Sequence, residues 1–188
     1  YTFMALSGNG VNFECDDEKR VAPFYLRVVE YQRRFLGISK GGEIHEAAHW
    51  RDEFTFLNNP FQIRCEHDLY YNRPGSLRHP CFDLVGNVLW IYFTRIGDMP
   101  ESIFRIKAAY RSDRLLLDGD EELVLAPERD YEGFDCNLTM SESGPALAKE
   151  RALRDPYVLN TNGKKYLFYS VAGEDGIALA ETQMDEIT

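Results

Sequence analysis

The sequence predicts an all-β fold made of β-propeller blades, and three observations carry that reading. Aromatic residues make up 13% of the chain, a bias toward strands. Short runs of alternating apolar and polar residues recur between Gly- and Asn-bearing turns. Those runs repeat as a unit three times along 188 residues.

The chain opens with two strands, at 1–6 and 11–14, joined by Ser7, Gly8, Asn9 and Gly10. They stand where the last two strands of a preceding unit belong. The first full unit places strands at 21–26, 34–39 and 43–47. The second places them at 78–83, 88–93 and 102–106, and the third at 154–159, 165–170 and 176–180. Each unit opens near a proline (Pro23, Pro80 or Pro156), a residue tolerated at a strand's first position. Gly86-Asn87 and Asn162-Gly163 supply the φ > 0 residues that a tight hairpin needs. A fourth strand follows in two units, at 53–56 and 122–125. The count is about thirteen strands in groups of two, four, four and three, the four-stranded repeat of a propeller. Residues 146–153 are the one stretch that predicts a helix, of two turns. Alternation predicts that Leu36, Ile38, Leu89, Ile91, Phe93, Leu167 and Tyr169 are buried between blades.

Length and composition set the outer bounds. Residues 1–188 are read as one domain. A net charge of −10 and a pI near 4.9 argue against an electrostatic nucleic-acid binder. No apolar run approaches the ~18 residues of a membrane span. Cys15, Cys65, Cys81 and Cys136 form no Cys-x-x-Cys pair, so neither a zinc knuckle nor a dense disulfide framework is expected, and a reducing, cytoplasmic setting is favoured. No cofactor or metal is expected. The chain begins at Tyr1 rather than Met, and three blade equivalents fall short of the usual four to eight. Further blades are therefore expected from the rest of the polypeptide or from another copy.

Three stretches carry a family resemblance. They are Arg78-His79-Pro80 followed by 92–98, Tyr131-Glu132-Gly133-Phe134-Asp135, and Leu153-Arg154-Asp155-Pro156 followed by 169–174. Through them the chain resembles the C-terminal three blades of five-bladed, family-43-type glycoside hydrolases, and among these the uncharacterised members. The resemblance implies hydrolysis of a glycosidic bond with inversion. Carboxylates on the innermost strands would then act as base, general acid and acid-orienting group. Inversion needs two carboxyl groups far enough apart to admit a water, with their pKa values pushed apart.

The Asp-Pro step at an inner-strand head is a family position for one such carboxylate, and Asp155-Pro156 matches it. The positions taken as equivalent hold Ala22 and His79. As a catalytic candidate, Asp155 is weighed against a turn residue that satisfies backbone N–H groups. His79 would act as an acid near neutral pH, weighed against a buried, hydrogen-bonded histidine. Glu132, between Tyr131 and Phe134, is the general-acid candidate. Arg78 and Arg154 repeat beside these positions and are expected at the mouth of the channel as substrate-binding groups. Asp135 and the connector residues Glu66 and His67 are expected to bind substrate as well, on an acidic, polar rim that also takes in Asp68.

His45, Glu46 and His49 match H-E-x-x-H, which binds zinc only on a helix. On the strand expected here the two histidines would lie ~13 Å apart, at ~3.3 Å per residue. Asn137-Leu138-Thr139 fits a glycosylation sequon. Two functions follow from the whole: a carbohydrate-active hydrolase, or a non-catalytic sugar-binding propeller favoured by the missing acids at Ala22 and His79. A zinc protease is the weaker third.

Overall fold

The computed structural model describes residues 1–61 and 75–182. Glu66, His67 and Asp68 lie outside the described residues. Among those described there are thirteen strands in four antiparallel sheets. The first sheet pairs β1 (Thr2–Leu6) with β2 (Glu14–Ala22). The second runs β3 (Arg27–Tyr31), β4 (Arg34–Ile38), β5 (Ile44–Ala47) and β6 (Thr55–Asn58) in order. The third runs β7 (Leu77–Val85), β8 (Val88–Arg95), β9 (Ile103–Arg111) and β10 (Arg114–Leu125). The fourth holds β11 (Arg154–Thr161), β12 (Lys164–Val171) and β13 (Gly176–Thr182). The grouping is two, four, four and three, as the sequence predicts.

Three apolar layers stack these sheets face to face. Ala22, Ala47 and Phe54 join the opening hairpin to the second sheet. Leu36, Ile38 and Ile44 meet Leu89, Ile91 and Phe93 between the second and third. Cys81, Trp90 and Tyr92 meet Leu153, Leu167 and Tyr169 between the third and fourth. In β8 alternate side chains enter different layers, so this strand is covered on both faces and reads as a continuous apolar run. All seven residues expected in the core are buried, none exposed by more than 3%. Consecutive four-stranded sheets packed in this way are propeller blades. The first strand of each blade lies innermost, where β3 touches β7 and β7 touches β11.

Two expectations are corrected. Pro23 does not open an inner strand: β2 runs to Ala22 and Pro23 follows it, so β3 begins only at Arg27. Counting back from the hairpin turn, Tyr25, His79 and Asp155 each sit six residues before the end of their strands at Tyr31, Val85 and Thr161. The position equivalent to Pro80 and Pro156 is therefore Leu26, and Tyr25, not Ala22, matches His79 and Asp155. Residues 146–153 form no helix. Their backbone bonds go sideways, from Glu150 N–H to Ala172 O and from Leu153 N–H to Glu101 O, so tertiary pairing overrides helix propensity. A single 3₁₀ turn forms instead at Asp130–Glu132.

Candidate active site

Tyr25, His79 and Asp155 share a local conformation that L-residues seldom adopt. Their φ angles are 59°, 43° and 51°, each at the head of an inner strand. Such a backbone costs of order 1–3 kcal/mol per residue and persists only where its surroundings enforce it. In blades two and three it coincides with a break in strand register, between Arg78 and Cys81 and between Arg154 and Tyr157. A bulge of this kind re-aims the side chain.

The three side chains form one row across three blades. The Tyr25 ring stacks on His79 with centroids 4.2 Å apart. The Tyr25 hydroxyl lies 3.4 Å from the His79 carbonyl oxygen, to which it donates. His79 Nδ1 contacts Asp155 Oδ1, and the Ser170 hydroxyl donates to Asp155 Oδ2 at 3.3 Å. His79 Nε2 has no hydrogen-bond partner among the described residues. Both members of the pair keep part of their side chain in contact with solvent, 22% for His79 and 29% for Asp155. Burial alone would raise the Asp155 pKa. The hydrogen bond and charge of His79, the Ser170 hydroxyl and the charge of Arg78 outweigh it and hold the carboxyl below its ordinary value. Burial pushes the Tyr25 hydroxyl up to about 12.

Arg78 and Arg154, one residue earlier, turn inward. Both are almost fully buried, and both pair with the carboxylate of Glu101 at 2.9 Å, one on each oxygen. Thr94 donates to the same carboxylate at 2.7 Å. Arg78 also bonds the carbonyls of Glu142 and Gly144, and Arg154 pairs with Glu150 at 2.6 Å and Glu174 at 3.3 Å. Their donors are thus spent on joining blade two to blade three and to the 141–150 segment. Burial pushes the Glu101 pKa up against the pull of the two guanidiniums.

Glu132 is buried as well. Oε2 accepts the backbone N–H groups of Glu128 (2.9 Å) and Arg129 (3.0 Å), and Oε1 accepts the Tyr169 hydroxyl at 2.8 Å. Three donors converge on it, and none of its bonds reaches His79 or Asp155. Asp135 lines a separate open hollow of ≈ 450 Å³ with Cys136, Asn137, Thr139, Lys149 and Glu150. His45 lies in β5 and His49 in the turn that follows, so the helical geometry of a zincin does not arise. Of the residues singled out from sequence, His79 and Asp155 come into contact. Tyr25 was missed because the proline set the register, and counting back from the hairpin turn finds it.

No protein-family model matches the chain. An uncharacterised protein of Acanthamoeba polyphaga mimivirus, R118, is 31% identical over 185 residues, covering 93% of this chain and 51% of that protein. The chain thus spans about half the length of the curated relative it matches. A thermostable family-43 glycoside hydrolase superposes with a TM-score of 0.64 at 16% identity, over 97% of this chain and 62% of that one. An endo-1,4-β-xylanase from Bacteroides thetaiotaomicron gives 0.60 at 13% identity, over 99% and 61%. The fold is that of a β-propeller sector. More narrowly, it is the propeller fold seen in family-43 glycoside hydrolases.

Proposed function

We propose that the chain is part of a carbohydrate-active propeller that cleaves a glycosidic bond at the row Tyr25, His79 and Asp155. The observation that carries this reading is the row itself. Three successive blades each hold a left-handed residue at the same position, and the three side chains meet at the inner end. The ring is completed by blades outside this chain, in keeping with the 62% and 61% shares of the two family-fold neighbours that it covers.

In this reading Asp155 stays ionised, holds the imidazole through Nδ1 and leaves Nε2 toward the channel. Protonated, His79 gives the Nε2 proton to the leaving glycosidic oxygen as the bond from that oxygen to the anomeric carbon breaks. A water attacks the anomeric carbon from the opposite face and loses its proton to a carboxylate. That second carboxylate lies outside the row. The Tyr25 ring, stacked on His79, backs the imidazole that gives the proton. Glu132 serves as a brace for its loop, while Arg78 and Arg154 act at a distance, by fixing the strand heads.

One observation favours the non-catalytic alternative: the row contains a single carboxylate, and it is bound to His79. The intact protein separates the two readings when incubated with a panel of aryl glycosides and plant oligosaccharides. Cleavage that falls at least a hundredfold in both His79→Gln and Asp155→Asn supports the hydrolase. Binding without turnover by the unaltered protein leaves a sugar-binding propeller.

A further inference from the structure

Arg27 sits two residues beyond Tyr25, at the position equivalent to Cys81 and Tyr157. Its guanidinium carbon lies 4.7 Å from the centroid of the Tyr25 ring and 5.3 Å from that of Tyr157, which comes from the third blade. Arg27 therefore spans from one inner strand to another, directly beside the row. Its Nε donates to the Tyr25 hydroxyl at 3.2 Å. The terminal nitrogens have no acceptor among the described residues, and no carboxylate there lies within ion-pair reach.

The lack of a counter-ion among the described residues sets Arg27 apart from Arg78 and Arg154 at the neighbouring inner strands. Acidic residues outnumber basic ones 31 to 21, and both arginines at the strand heads pair with carboxylates. The described groups around Arg27 do not supply the charge. Burial raises Tyr25 and Cys81 to about 12, so both stay neutral near pH 7. Asp155 is committed to His79 and Ser170. A half-buried guanidinium packed over aromatic rings keeps its N–H edge for in-plane hydrogen bonds. That edge matches the two oxygens of a carboxylate.

We infer that Arg27 is a specificity-determining residue that reads the carboxylate of an acidic sugar, a uronic-acid unit of the ligand held at the Tyr25, His79 and Asp155 row. The inference rests on the proposed carbohydrate site and names its substrate class. A singly charged carboxylate suits the place better than a doubly charged phosphate, because the ionised Asp155 shares the site.

The test is calorimetric titration of the intact protein with oligogalacturonates and glucuronoxylan oligosaccharides, with the same oligosaccharides after reduction of their carboxyls to alcohols, and with hexose 6-phosphates. At least one acidic oligosaccharide should bind tenfold or more tighter than its reduced counterpart, with a preference that weakens as salt is added. Arg27→Met should erase that preference while the reduced sugar still binds. Arg27→Lys, which keeps the charge and loses the fork, should retain part of it and serves also if the Met variant melts early. Equal binding of acidic and reduced sugars, or a preference that survives Arg27→Met, overturns the role of Arg27 and leaves the carbohydrate site standing. Tighter binding of the phosphates overturns the carboxylate assignment. Binding of no sugar at all overturns both readings.

Discussion

The contact between Asp155 and His79 ties two strained strand heads together, and its response to pH follows from the direction of the Asp155 shift. The folded carboxyl titrates below its ordinary value, while in the unfolded chain it titrates near ~3.9. Its contribution to stability is complete above that unfolded value and is lost as pH falls through the lower folded one. Asp155→Asn should therefore melt below the unaltered protein at about pH 6, by an amount on the order of 1–3 kcal/mol for a charged hydrogen bond. The gap should close on acidification, as thermal melts followed by circular dichroism would show. A gap that stays constant down to the acid transition would mean that Asp155 is not held low by its partners. At this scale the sequence was informative about chemistry and less so about register. His79 and Asp155 stood out beside their prolines. Tyr25 did not, because Pro23 mimics Pro80 and Pro156 while ending β2, a difference in chain direction that composition does not carry.

Strands and loops are joined by buried carboxylates that the sequence shows only as scattered acids. Glu101 is fully buried between two guanidiniums from different blades, and removing its charge leaves the buried Arg78 without a carboxylate and Arg154 with only Glu150 and Glu174. Glu101→Gln should cost about 3–5 kcal/mol, read as a drop in the urea midpoint, because a broken buried ion pair leaves uncompensated charge. Glu132 makes a second brace. Glutamine cannot accept from both backbone N–H groups and the Tyr169 hydroxyl unless that hydroxyl turns to accept from the new amide. Glu132→Gln should then lower stability by roughly 1–3 kcal/mol and leave turnover of any cleaved glycoside nearly unchanged. The reverse result, lost turnover at an unchanged melting temperature, would restore Glu132 as the proton donor that its aromatic neighbours suggest. The strands were legible because alternation and hairpin turns are local signals. The failed helix at 146–153 was not, since its hydrogen-bond partners lie at Glu101 and Ala172, far away in sequence.

Across the whole molecule the blades differ in how well they are covered. The third sheet has an apolar layer on each face, whereas among the described residues the fourth is covered on the face toward the third only. Its other face carries Tyr157, Leu159, Ile177 and Leu179, exposed by 43%, 40%, 80% and 53%. These side chains fall on one face by strand register: Tyr157 pairs with Phe168 and Leu159 with Tyr166, and Leu179 lies opposite Phe168 on the third strand. An apolar sheet face open to water is an interaction surface, and the chain covers only part of each neighbour that shares its fold. The expected occupant is the next blade of the ring. Leu179→Lys tests this in two settings. In the intact protein, burying the substituted side chain under a neighbouring blade should cost on the order of 2 kcal/mol or more, the value of a buried leucine, and lower the melting temperature. In the 188-residue chain expressed alone, the same substitution should leave the melt unchanged and reduce self-association in sedimentation velocity, since there the face meets water or a second copy. A substitution silent in both settings would mean that nothing packs on this face, and the ring would have to close elsewhere.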